Sequence, residues 1–141
     1  MKFSVNQQDL QKSLGYCQGV IEKRSTLPIL SNVLLEINSG HLIITATDLD
    51  LIFVHKISNV EILEEGKTTT SSSIMYDIVR KISSGSKINF SNPSESKLQL
   101  ESEKSIFNLN CISASEFPLT DENFNQNEFS MNSKDLLKLL N

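Results

Sequence analysis

The sequence predicts an α+β fold in which strands and two amphipathic helices share one core. Three observations predict it. Two segments combine a capping residue with a one-sided apolar stripe, and the apolar runs between them are short and broken by Gly, Asn and Pro turns. In addition, the opening of the chain recurs near its end.

The first strand is read at Phe3-Ser4-Val5, which alternates apolar and polar. Asn6 then supplies a helix cap, with Asp9 in the first turn near the positive end of the dipole. A helix is expected from about Gln7, with Leu10, Leu14 and Cys17 in one stripe and Ile21 continuing it if the helix runs that far. Lys12 falls opposite that stripe. Gly15 and Gly19 weaken the later turns, so the helix is expected to end near Gly19 in a loop carrying Glu22, Lys23 and Arg24.

Leu27-Pro28-Ile29-Leu30 reads as extended, because a residue before proline is pushed away from helical angles. Strands at Val33 to Ile37 and His41 to Thr47 flank an Asn38-Ser39-Gly40 hairpin loop, and Leu49 to Ile57 follows as a third. Val60 to Leu63 and Lys67 to Thr70 complete what reads as a meander. The serines Ser71 to Ser73 cap a second helix that runs to about Ser83 and is ended by Gly85. Ile74, Met75, Ile78, Val79 and Ile82 form its apolar arc, Arg80 points away from it and Lys81 lies at its margin. Strands follow around Lys87 to Phe90, Lys97 to Glu101 and Ser105 to Leu109. A polar stretch with Pro118 and no period then reads as a linker.

With 141 residues, one domain and a short extension are expected. No run is apolar enough for a membrane span and the start lacks a signal-peptide block, so no membrane association and a cytoplasmic location are expected. Cys17 and Cys111 stand alone, without zinc-ligand spacing, and read as buried thiols. No metal or cofactor motif is present, and no cofactor is expected. A net charge of −4 argues against a surface that coats nucleic acid throughout, though not against a local basic face.

Phe3 to Leu14 recurs as Phe129 to Leu140, with seven of twelve positions identical, polar ones included. The boundaries expected are a first domain over 1–112, a linker over 113–127 and the beginning of a second, similar domain over 128–141. Lys138 takes the place of Lys12 in the second copy. If such domains join edge to edge, their helices can line one concave surface with cations, and cations so spaced bind phosphates without reading sequence.

Met1-Lys2-Phe3-Ser4-Val5, Lys23-Arg24-Ser25-Thr26-Leu27-Pro28-Ile29-Leu30, Thr45-Ala46-Thr47-Asp48-Leu49-Asp50 and Ser115-Glu116-Phe117-Pro118 stand in the order and spacing of the bacterial sliding clamp family, the beta subunit of DNA polymerase III. The resemblance covers essentially the whole chain. It implies a DNA clamp fold, with antiparallel sheets on the outer side and two helices on the inner, DNA-facing side. It also implies a non-catalytic processivity factor: a ring of two subunits, each of three such domains, that encircles duplex DNA and tethers the replicative polymerase.

On that resemblance Arg24 lies on a DNA-touching loop with Lys23 beside it, and Lys12, Arg80, Lys81 and Lys138 are further candidates for the DNA face. The strand around Lys104, Ile106 and Phe107 resembles the edge by which subunits meet. DNA polymerase III alpha and clamp-loader subunits would bind through regions beyond these residues. The chain alone is therefore expected to be monomeric or weakly associating, with poor DNA affinity, as a cloned fragment or a truncated product.

Two other readings compete. Asp48 and Asp50 share a strand face and could ligate magnesium, as a nuclease requires, although a strand junction with hydrogen-bonded side chains explains them more simply. A repurposed clamp domain could instead act as a protein-interaction module through an exposed sheet edge.

Overall fold

The computed structural model describes residues 1–21 and 27–118. In chain order it contains β1 (Lys2–Asn6), α1 (Gln7–Gln18), a 3-10 turn (Pro28–Ser31), β2 (Asn32–Asn38), β3 (His41–Thr47), β4 (Ile52–Ile57), β5 (Val60–Glu64) and β6 (Gly66–Ser71). There follow α2 (Ser72–Lys81), β7 (Lys87–Ser94), β8 (Lys97–Ser102), β9 (Ser105–Ile112) and a second 3-10 turn (Ala114–Glu116). The strands pair in the order β4-β3-β2-β6-β9-β8-β7-β1-β5, each pair antiparallel.

This order explains why one core suffices. The chain runs strand, helix, three strands twice: β1-α1-β2-β3-β4, then β6-α2-β7-β8-β9. The first strand of each unit pairs with the second strand of the other, β1 with β7 and β6 with β2. Neither half can therefore form its sheet alone.

Alternation along the strands supplies the buried face. Val33, Leu35 and Ile37 of β2, Leu42, Ile44 and Ala46 of β3, and Phe3, Val5, Ile88, Phe90, Leu98 and Leu100 of the other half are all buried in one cluster. Register keeps them opposite one another, as in Leu35 to Ile44, Ile37 to Leu42 and Phe3 to Phe90. The rings of Phe3 and Phe90 stack with centroids 4.6 Å apart. β9 changes partner near its end: its first part pairs with β8, while Cys111 and Ile112 pair with β6. That short ladder is reinforced by buried hydroxyls, Thr69 Oγ1 donating to the Ile112 carbonyl at 2.7 Å and Thr70 Oγ1 to that of Asn110 at 2.8 Å.

Several expectations are corrected. Pro28 opens a 3-10 turn rather than a strand, because its fixed φ suits the first position of a helical turn and only Leu27 stays extended. β4 begins at Ile52, not Leu49, because Asp48 Oδ1 accepts the backbone N–H groups of Asp50 (2.9 Å) and Leu51 (2.7 Å) and bends the chain there. The meander stops at β4, since β5 crosses to pair with β1. α2 ends at Lys81, and Ile74 is 52% exposed, because the buried side of α2 turns toward α1, bringing half-buried Tyr76 inward and Ile74 outward. Phe117, in the stretch read as linker, is buried.

His55 sits on the core side of β4, opposite Ile44, with Nδ1 2.7 Å from Ser13 Oγ on α1 and its ring against those of both Tyr16 and Phe53. Burial, and then the neighbouring Lys12 ammonium, hold its pKa below 6.5, while Asp9 pulls weakly the other way. The unfolded chain therefore binds a proton more readily than the fold between that lowered value and about 6.5. Stability rises with pH across this window and falls as pH drops through it. His55→Gln is expected to flatten that part of the urea-midpoint profile between about pH 5 and 7.5, and a variant with the parent's slope would show that His55 does not set it.

The two helices are tied at both ends. Gln7 Nε2 donates to the Val79 carbonyl near the end of α2 (2.7 Å) and to Gln11 Oε1 (2.7 Å). Ser72 Oγ, at the start of α2, donates to Gln18 Oε1 at the end of α1 (2.9 Å). Gln7 is buried and its Oε1 has no protein partner among the described residues, so its place is set by what Nε2 reaches. Gln7→Ala should cost about 1 kcal/mol in denaturant unfolding, by removing the bond that links the start of α1 to the Val79 carbonyl, which keeps the Ile82 N–H at 3.2 Å; an unchanged midpoint would remove this tie from the account.

Candidate nucleic-acid interface

α1 begins because Asn6 Oδ1 accepts the Gln8 N–H at 2.8 Å, and it buries Leu10, Leu14 and Cys17 against the sheet. That phase leaves Lys12 exposed on the opposite side, where it makes no hydrogen bond or ion pair among the described residues. α2 begins where Ser71 Oγ accepts the Ile74 N–H at 3.2 Å, and it buries Ser72, Met75 and Val79. Arg80 and Lys81 are exposed in its last turn, where cations also complement the helix dipole.

Because the start of each helix is tied to the end of the other, the two run antiparallel and enclose a groove of about 550 Å³. Lys12, Gln8, Gln11 and Tyr76 line it, and Gln8 Nε2 reaches Ser84 Oγ at 2.6 Å across one end. The Arg80 guanidinium lies over the Tyr76 ring, 5.2 Å from its centre. Lys12 therefore lines the groove, and Arg80 lies over the Tyr76 ring that lines it too. The helices carry Lys12, Arg80 and Lys81 against Asp9 and Asp77, whereas on the described strands and turns acids outnumber bases.

Such a surface can hold phosphate oxygens through ammonium, guanidinium and neutral donors. It has no base-reading element inserted from the helices. Lys23, Arg24 and Lys138, the other expected DNA contacts, lie outside the described residues, as does the proposed start of a second domain. Reading the helix wheels located Lys12, Arg80 and Lys81 but missed the Asp77 and Tyr76 contacts of Arg80. The spacing of Asp77 and Arg80, three apart on one helix, was the available signal.

A second surface lies on β9. Its residues from Ser105 to Asn110 pair with β8, while the opposite edge has no strand partner among the described residues until Cys111. Ile106 faces outward and is 55% exposed; Phe107, expected beside it as an alternative anchor, packs against the core. Lys104 is exposed in the β8–β9 turn next to Glu103, whose φ is +53°.

The carboxylates considered for metal are engaged differently, since Asp48 turns its Oδ1 to two backbone N–H groups. No group of three His, Cys, Asp or Glu side chains able to hold a metal ion occurs among the described residues. Burial pushes the Cys17 thiol up to about 12, so it stays protonated and unreactive at neutral pH. Burial also raises the Cys111 thiol, partly countered by a Thr68 hydrogen bond and Lys97. No described helix is long and apolar enough to cross a membrane.

The family model of the DNA polymerase III beta subunit, N-terminal domain, matches residues 1–121. The beta sliding clamp of Caulobacter vibrioides (strain NA1000 / CB15N) is 31% identical over 141 residues, and that of Escherichia coli (strain K12) 34% over 140. Both alignments take in 99% of this chain but 38% of the relative, so the chain spans well under half the length of these proteins. Among solved structures, the Caulobacter crescentus pol III beta superposes with a TM-score of 0.81 at 34% identity, over 86% of this chain and 32% of that one. A sliding clamp from Bartonella birtlesii LL-WM9 gives 0.80 at 37%, over 86% and 34%. A fold of paired antiparallel strands carrying two helices, matched at this identity and over this span, places the chain in the DNA polymerase III beta subunit family, in its N-terminal domain.

Proposed function

We propose that this chain supplies the first domain of a sliding clamp, a ring that encircles duplex DNA and keeps the replicative polymerase at its template. The observation that carries the reading is the division of charge: Lys12 lines a groove on the helix layer and Arg80 lies over the Tyr76 ring beside it, while acids predominate in the described turns that join the strands. Lys12, Arg80 and Lys81 would contact backbone phosphates, joined by Arg24, Lys23 and Lys138 by family resemblance. Contacts of this kind hold DNA without choosing a sequence and leave it free to slide. The role is mechanical, with no bond made or broken by the domain, and the site of action would be the cytoplasm.

Ring closure would use the unpaired edge of β9. Ile106 offers the apolar contact and Lys104 a cation for acids of the partner, in a head-to-tail homodimer of full-length subunits. The DNA polymerase III alpha and clamp-loader subunits would be partners through the remaining domains. Tethering then acts through effective concentration, because a polymerase that lets go of DNA is still linked to it.

Association of this chain with a fluorescent duplex, followed by anisotropy at low salt, is expected to be independent of sequence. Lys12→Ala should weaken it and lower the slope of log K against log salt by about 0.9, the share of one phosphate contact. Equal affinity and slope in the variant would remove Lys12 from the interface. In a full-length subunit built on this domain, Ile106→Asp should weaken dimerisation by about tenfold or more in sedimentation, roughly 1.4 kcal/mol. A dimer constant equal to the parent's would place the subunit contact elsewhere.

A further inference from the structure

Arg80 is not free on the helix layer. Its Nη2 lies 3.0 Å from Asp77 Oδ1 one turn back on α2, and its guanidinium rests over the ring of Tyr76. Tyr76 in turn lies along α1 at Gly15, where a Cβ would come 3.7 Å from the phenol oxygen. Two contacts therefore fix the cation at one place on the flank of the groove. Lys12 and Lys81, by contrast, make no ion pair among the described residues.

Asp77 makes no other hydrogen bond or ion pair among the described residues. It stands past the first turn of α2, the turn in which an acid would gain from the helix dipole, so the dipole does not account for it. Its side chain is 58% exposed, so packing does not require it. It also places an anion on the surface that, under the clamp reading, receives phosphates. An exposed ion pair of this kind is weak enough to open when a phosphate arrives and strong enough to re-form when it leaves.

We propose that Asp77 is a positioning residue that limits the grip of the helix layer on DNA by competing with phosphate for Arg80. The inference rests on the DNA-binding reading of this surface. As the duplex moves, Arg80 exchanges one anion for another of similar geometry, so leaving a phosphate costs little and no register of the backbone becomes a trap. The partner concerned is the sugar–phosphate backbone, whichever bases it carries.

The test is duplex association of this chain by anisotropy across a salt series, for Asp77→Asn, Asp77→Ser and Asp77→Glu, alone and with Arg80→Ala, with Lys12→Ala alongside. Asp77→Asn and Asp77→Ser should raise the association constant several-fold at low salt and steepen the salt slope by about 0.9. Asp77→Glu should restore the parent's behaviour. With Arg80→Ala present the gain should vanish, which a role in helix stability would not produce; thermal unfolding of each variant separates the two. If Asp77→Asn gains nothing while Lys12→Ala still loses affinity, the inference is wrong and the DNA reading stands. A gain of equal size in the Arg80→Ala background also overturns it, since Asp77 would then act by bare repulsion. No association by the parent or any variant, at any salt, overturns both.

Discussion

The tie between the two helix ends fixes where every cation of this surface stands. Gln7 reaches from the start of α1 to the carbonyl of Val79, and Ser72 reaches from the start of α2 to Gln18. Both helices are thereby held side by side and antiparallel over the seam where the two halves of the sheet exchange strands. A sheet whose first strands are swapped, β1 onto β7 and β6 onto β2, brings the two helix starts to opposite ends of the layer. Lys12 of α1 and Tyr76 of α2, with Arg80 over its ring, then come together at one groove although the two helices are distant in sequence. The interior is polar at these ties, and each such group must be matched if its burial is not to weaken the fold.

Much of this was legible because local rules and global packing agree. Asn6 and Ser71 announce the helix starts, and each side chain accepts the N–H it is suited to accept. Ser39 and Gly40, both at positive φ, form the turn where a hairpin loop was expected, shorter by one residue because Asn38 pairs with His41. What was not legible depends on partners distant in sequence. β5 alternates like any strand, and nothing in Val60 to Glu64 says that its partner is β1 rather than β4. Ile74 belongs to the apolar arc of an isolated helix, and only the presence of α1 on one flank rotates the buried side away from it. On the site, the direction of each cation was readable from helical phase. Its state of pairing was not, because Asp77 and Tyr76 become contacts of Arg80 only once rotamers are set.

The same limit applies to His55. In the sequence it is an isolated histidine on a strand, yet it lies against Ser13 beneath the helix that presents Lys12. Its proximity to that ammonium is one reason its own charge is disfavoured. The cation of the helix surface and the histidine beneath it are thus coupled, and the positive charge stays on the exposed Lys12.

Charge on this surface is modest for a reason that follows from the geometry. A protein that holds DNA by affinity alone needs many phosphate contacts, and each deepens the well at one register of the backbone. A closed ring needs none of that depth, since the link is topological and a contact has only to keep the duplex centred. The excess of one cation over the acids of the two helices, with Arg80 already shared with Asp77, suits the second task and not the first. Under the clamp reading a total charge of −4 is then no contradiction. On that same reading, acids in the turns between strands would repel duplex from the far side of the sheet and the helices would attract it weakly, so that the difference between the two faces, rather than the sum over the whole, would decide where DNA runs.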